Sequence, residues 1–227
     1  MKRSELAATI DHTLLGPTAT RAGVEKLCAE AIQLGVAAAC VDLRYARTAR
    51  EKLAGSSVHL CVVIGFPHGM TASTVKAFEA EQAISEGADE LDMVIPVGAL
   101  KERDLAGLRA DIAAVCAVAR RAGRPVAVKV ILETCLLTDE EKTLAAREAV
   151  AAGADFVKTS TGFGSAGATA ADVALLRRAV GPGIGVKAAG GIRDTATALA
   201  MIAAGATRIG ASRTADILAG LDDSKAK

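Results

Sequence analysis

The sequence predicts an α/β fold, a single (β/α)8 barrel of the TIM-barrel kind spanning residues 1–227 as one domain. Three observations predict it. Eight short apolar runs recur along the chain, each too short for a helix and mostly continuous rather than alternating, as in parallel strands buried on both faces. Segments with helical spacing separate them. No shift in composition divides the chain. Eight units make roughly 28 residues per unit, compact but within the range of such barrels. An open doubly wound sheet is the competing arrangement, and the countable eight units favour closure.

The runs, in order, are "ATIDHT" from Ala8, "AAACVDL" from Ala37, "HLCVVIGF" from His59 and "ELDMVIPVG" from Glu90. They continue with "PVAVKVILE" from Pro125, "DFVKTS" from Asp155, "GVKAAGG" from Gly185 and "TRIGAS" from Thr207. Between them, Leu105, Leu108, Ile112, Val115 and Val118 recur at steps of three and four, one face of a helix. Thr138 with Glu141 three residues later has capping-box spacing and starts another. Gly35, Gly87, Gly153 and Gly205 each close a helical pattern just before a strand, where a left-handed residue can stop the helix.

Composition narrows the function classes. With 51% hydrophobic residues the chain can bury a substantial core. Its 27 basic and 26 acidic residues leave a net charge of +1, so neither nucleic acid nor an anionic membrane is the expected partner. Aromatics are 2% of the chain with no Trp, which disfavours a base-stacking platform. The five cysteines have no C-x-x-C spacing and read as reduced thiols of a cytoplasmic protein. No run has the length of a membrane span, and the N-terminus lacks the apolar stretch of a signal peptide.

In a barrel of this kind the chemistry lies at the C-terminal ends of the strands. Charged residues sit on the strands there: Asp11 on the first, Asp42 after the second, Asp92 on the fourth, Lys129 on the fifth, Lys158 on the sixth and Lys187 on the seventh. A single strand lysine can snorkel to a rim. Three on neighbouring strands beside strand-embedded acids read instead as one site. Crowded, buried ammonium groups are expected to lower one another's pKa. A neutral amine can then attack a carbonyl and form a Schiff base, whose iminium accepts the electrons of a breaking carbon–carbon bond.

A phosphate grip is expected beside it, from the loops after strands seven and eight. Gly190, Gly191 and Arg193 lie on the first and Gly210 and Ser212 on the second, with Ser212 a candidate helix cap. "GFGSAG" at 162–167 matches a dinucleotide fingerprint, but no acid follows at the required distance, so Thr161 and Gly162 read as a third edge of the phosphate cradle. His12, His59 and His68 are scattered, and no metal or other cofactor is expected. Cys40 reads as a small core residue rather than a nucleophile.

With these residues in hand, the sequence resembles the deoxyribose-phosphate aldolase family over nearly its full length. The matching stretches, in the family's order, are "DHTLL", "VIGFPHG" (63–69), "GADELDMVIPVG" (87–98), "VKVILETCLLT" (128–138), "FVKTSTGF" (156–163), "VKAAGGIR" (186–193) and "IGAS" (209–212). The resemblance implies a class I aldolase that reversibly cleaves 2-deoxy-D-ribose 5-phosphate to D-glyceraldehyde 3-phosphate and acetaldehyde. It implies Lys158 as the Schiff-base lysine, Lys187 as the group that lowers its pKa, and Asp92 as acid/base partner. Asp11 and Lys129 would complete the polar lining, with Cys40 nearby. Thr161, Gly162, Gly190, Gly191, Arg193, Gly210 and Ser212 would hold the phosphate. A homo-oligomer, dimer or tetramer, is expected.

Three departures stand out. Asp42-Leu43 replaces a common X-Pro and could bring an extra carboxylate near the cavity; Arg213 replaces a common serine; and the tail "DDSKAK" carries no tyrosine. Two other readings stay open: a different Schiff-base sugar-phosphate barrel, and a phosphosugar-binding regulator without turnover.

Overall fold

In the computed structural model, which describes residues 1–221, the strands close into a barrel in sequence order. They are β1 (Ile10–Leu14), β2 (Ala38–Val41), β3 (His59–Ile64), β4 (Glu90–Val94), β5 (Ala127–Ile131), β6 (Phe156–Lys158), β7 (Gly185–Ala189) and β8 (Arg208–Ala211). All eight neighbouring pairs are parallel, and β8 returns to β1. The helices are α1 (Arg3–Ala7), α2 (Arg21–Leu34), α3 (Ala46–Leu53), α4 (Ser73–Ser85), α5 (Val97–Lys101), α6 (Leu105–Arg120), α7 (Asp139–Ala151), α8 (Ala170–Val180), α9 (Thr195–Ala203) and α10 (Thr214–Ala219). The short helices α1 and α5 lie outside the expected strand–helix count.

Local signals set the helix ends. The Thr138 hydroxyl accepts from Glu141 N while the Glu141 carboxylate accepts from Thr138 N, the reciprocal cap expected from the sequence. Gly35 ends α2 in the left-handed region at φ 66, where the missing Cβ removes the steric penalty.

Strand side chains alternate, and the alternation separates two environments. Outward residues such as Leu60, Val62, Leu91, Met93, Val128 and Val130 join the large apolar core against the helices. Inward, the barrel divides again. The β2 and β3 sector is small and apolar, with Ala38, Cys40, Cys61 and Val63. The rest of the lumen is charged: Asp11, Glu90, Asp92, Lys129 and Lys187 are all buried within it. Barrels of this kind usually fill their interior with branched apolar layers, so a charged lumen is costly unless every charge is paired.

A second buried ion pair lies outside the lumen. Lys76 on α4 is fully buried and donates to Asp111 on α6 at 2.6 Å and to the Val94 carbonyl at the end of β4 at 2.9 Å. Ser73 holds the other oxygen of Asp111 at 2.7 Å.

Candidate active site

Strand register brings the charged residues together. Asp92 is opposite Lys129 across β4 and β5, and Lys158 is opposite Lys187 across β6 and β7. Asp92 is the centre. Its Oδ1 accepts from Lys129 at 2.8 Å, and its Oδ2 accepts from both Lys158 and Lys187 at 2.7 Å each. Lys187 donates in addition to Asp11 Oδ2. Beneath them, Arg208 Nη1 donates to Asp11 Oδ1 at 2.6 Å and to both oxygens of Glu90 at 3.1 Å. Glu90 closes the circuit on Lys129 at 2.6 Å, and His59 meets Glu90 at 3.1 Å.

The electrostatics follow from this geometry. Burial alone would raise the carboxyl of Asp92, but the ammonium groups of Lys129, Lys158 and Lys187 outweigh it and hold it well below the usual carboxylate range. Burial works against the charge of Lys187, yet Asp11 and Asp92 outweigh it and raise its pKa above the usual lysine value. Lys129 is raised in the same way by Asp92 and its neighbours. The expected mutual depression of the lysines is therefore corrected for these two. Spacing showed the cations, but carboxylates on the same lumen faces, Glu90 among them, dominate the balance.

The three lysines are not equivalent. Lys129 meets three carboxylates (Asp11, Glu90, Asp92) and Lys187 two, whereas Lys158 meets one oxygen, and that one is shared. Lys158 is also the one of the three that lines the cavity above the network, whose volume is ≈ 310 Å³.

The expected phosphate residues converge on the same cavity. Thr161, Gly162, Gly190, Gly191 and Arg193 line it, as do Gly210 and Ser212. Gly190 has φ +86, and a Cβ there would stand 2.9 Å from Gly167 Cα, so the loops approach as closely as they do only because no side chain intervenes. The N–H groups of Gly162, Gly190, Gly191 and Ser212 have no hydrogen-bond partner among the described residues. Ser212 caps no helix: Arg213 occupies the N-cap of α10, without a side-chain bond.

The departures resolve as surface features. Asp42 is exposed and caps the turn at 43–45, accepting from Arg44 N at 2.9 Å. Arg213 is exposed and lies 3.9 Å from Asp216. Neither lines the cavity. The "DDSKAK" tail lies outside the described residues.

Cys40 sits in the apolar sector of the lumen, fully buried, its thiol pKa lowered by a hydrogen bond with Cys61. Cys40, Cys61 and Asp92 lie close enough to ligate a metal ion, as do Asp11, Cys61 and Glu90. Lys129 Nζ already stands among them, 3.3 Å from Cys61 Sγ and within bonding distance of Asp92 and Glu90. The ammonium supplies the cation that either donor set would attract.

Sequence reasoning missed four members of the site: Glu90, Arg208, His59 and Glu133. The first was detectable, since Glu90 and Asp92 share strand parity. Glu133 follows β5 in the left-handed region at φ 58, buried against Thr161, and local sequence gives no sign of that conformation.

Comparison with known proteins identifies the family. Residues 6–223 match the model of the DeoC/LacD family aldolases. The chain is 54% identical over 215 residues to the deoxyribose-phosphate aldolase of Lysinibacillus sphaericus, covering 95% of each protein. It is 53% identical over 211 residues to that of Brevibacillus brevis, covering 93% of this chain and 94% of the other. Its fold superposes on the tetrameric deoxyribose phosphate aldolase of Aeropyrum pernix with a TM-score of 0.87 at 36% identity, over 96% of this chain and 91% of that one. The family model spans most of the chain and the first two relatives match nearly all of it at more than half identity, and the chain belongs to the DeoC/LacD aldolase family.

Proposed function

We propose that the chain is a class I aldolase that reversibly cleaves 2-deoxy-D-ribose 5-phosphate to D-glyceraldehyde 3-phosphate and acetaldehyde, with Lys158 as the Schiff-base residue. One observation carries the assignment of the lysine: of the three lumen amines, the one that reaches the cavity is the one with the least carboxylate compensation. Four cations (Lys129, Lys158, Lys187, Arg208) face three carboxylates (Asp11, Glu90, Asp92). Loss of one proton from Lys158 leaves the lumen neutral.

The free amine of Lys158 adds to the C1 aldehyde of the open-chain sugar. Water leaves, and an iminium forms whose positive charge again lies beside Asp92. A water held by Asp92 and Lys187 takes the C3 hydroxyl proton. The C2–C3 bond breaks, its electron pair flows into the iminium, and glyceraldehyde 3-phosphate departs from a neutral enamine. Protonation at C2 and hydrolysis release acetaldehyde and return the amine. Asp92, held strongly acidic by its neighbours, serves as the fixed counter-charge, and the water carries the proton.

The phosphate end is held by the unpartnered amides of Gly162, Gly190, Gly191 and Ser212, with the Arg193 guanidinium at the rim and Gly210 leaving room beneath. No helix of the described residues is long and apolar enough to cross a membrane. The proposed setting is the cytoplasm, where the five free thiols stay reduced. We further propose self-association, since Val75 and Phe78 stand exposed on one face of α4; light scattering on the purified chain tests it, and a monomer would overturn it.

Borohydride added with acetaldehyde is expected to trap an adduct that maps to Lys158 and disappears in Lys158→Ala. An adduct mapped to Lys187 or Lys129 alone would overturn the assignment.

A further inference from the structure

Thr161 lines the cavity, yet its polar groups point elsewhere. Its N–H donates to Glu133 at 3.3 Å, and its hydroxyl donates to Glu133 Oε2. The same hydroxyl oxygen accepts from Phe163 N at 3.0 Å. Among the amides of 161, 162 and 163, that of Gly162 is therefore the one left without a partner among the described residues.

Glu133 is built for this contact. It is 6% exposed, and its backbone occupies the left-handed region, which a non-glycine residue holds only when its surroundings fix it there. Two backbone bonds secure its flanks to the reactive strand: Leu132 N to Lys158 O at 3.0 Å and Thr134 N to Thr159 O at 2.9 Å. Gly164 admits the carboxylate, since a Cβ there would lie 3.2 Å from Glu133 Cδ. Glu133 itself does not line the cavity; Thr161 stands between them.

We propose that Glu133 is a positioning residue for the phosphate end of the substrate: it clamps the 161–163 loop from behind, engages the donors of Thr161 and leaves the Gly162 amide as the loop's donor to the anion. A carboxylate this close to a phosphate would repel it if bare. Here the Thr161 N–H and O–H both face the carboxylate and screen it. The clamp also shares a segment with Lys158, so the two ends of the substrate are registered by one short stretch of chain.

The inference rests on the aldolase reading above, and the test separates the two. The quantity measured is the ratio of kcat/KM for 2-deoxyribose 5-phosphate to kcat/KM for unphosphorylated 2-deoxyribose, alongside acetaldehyde trapping on Lys158. Glu133→Ala removes hydrogen bonds to a charged group, so the ratio is expected to fall about tenfold or more, through KM for the phosphorylated substrate. Trapping on Lys158 is expected to persist. Glu133→Gln keeps both contacts with one reversed, its amide donating to the Thr161 hydroxyl, and is expected to hold the ratio within about threefold of wild type. Thr161→Val opens the clamp from the other side and should lower the ratio as Glu133→Ala does, which keeps the test available if the alanine variant does not fold. An unchanged ratio in Glu133→Ala or Thr161→Val, an equal loss for both sugars, or a glutamine variant as impaired as the alanine would overturn the clamp. Absence of a wild-type adduct on any of Lys158, Lys187 and Lys129 would instead overturn the aldolase reading.

Discussion

Replacing Lys76 by Met is expected to be among the most damaging single changes outside the lumen. Lys76 has no exposed surface, and its ammonium contacts Asp111 at 2.6 Å and the Val94 carbonyl at 2.9 Å. Methionine fills most of the aliphatic stem but leaves Asp111, 3% exposed, charged and without its ammonium. Breaking a buried pair from one side costs about 3–5 kcal/mol, because the remaining charge stays desolvated. For a chain of this size each kcal/mol moves the melting temperature by about 2–4 °C, so a fall of roughly 6–20 °C is expected. The pair Lys76→Met with Asp111→Leu removes both charges and should recover much of the loss, though not all, since the Val94 carbonyl and Ser73 hydroxyl lose partners. Thermal melts of wild type, both single variants and the double variant complete the cycle. A shift under about 3 °C for Lys76→Met, or a double variant as unstable as the two losses added, would refute the reasoning.

Asp92→Asn keeps the shape but not the charge that Lys158 and Lys187 share, and should lower kcat by about 10²- to 10⁴-fold; a loss below tenfold would count against Asp92 as the counter-charge that holds the proton-carrying water. Gly190→Ala places a Cβ 2.9 Å from Gly167 Cα at φ +86, so KM for the phosphorylated substrate should rise while acetaldehyde trapping persists; unchanged KM would count against the cradle. The Glu90 hydrogen bond raises the pKa of His59, so its stabilising contribution is full below about pH 6.5 and is lost as pH rises through the higher folded value. His59→Gln should therefore flatten the fall in stability above that pH; identical profiles for the two proteins would contradict it.

The strands, the order of the barrel and the lysine series could all be read from residue patterns, because continuous apolar runs and single embedded charges are local features. What was hidden depends on three dimensions. Lys76 looks like any helix lysine; its burial comes from the approach of α6 and of the β3 end, where a Cβ on Gly65 would stand 2.8 Å from Lys76 Cε. Glu90 belongs to the same alternation as Asp92, and applying that parity would have placed it inside the lumen. Arg208 starts β8 at the opposite end from the cavity, where no functional rule directs attention. Spacing alone points the lysine shifts downward because it sets the ammonium groups against one another; the balance is reversed by Asp92, in register beside Lys129, and by Asp11, two strands from Lys187.

Lys129 has a consequence beyond holding Asp92. A bound ion in its place would have an affinity, and its occupancy would vary with supply, dilution and competing chelators. An ammonium on a strand has no dissociation constant. Its local concentration is fixed by the covalent chain, and the lumen carries its central positive charge from the moment the barrel closes. The trade is made in folding: taking the Lys129 ammonium out of water is costly, and that cost is offset only when Asp11, Glu90 and Asp92 stand around it.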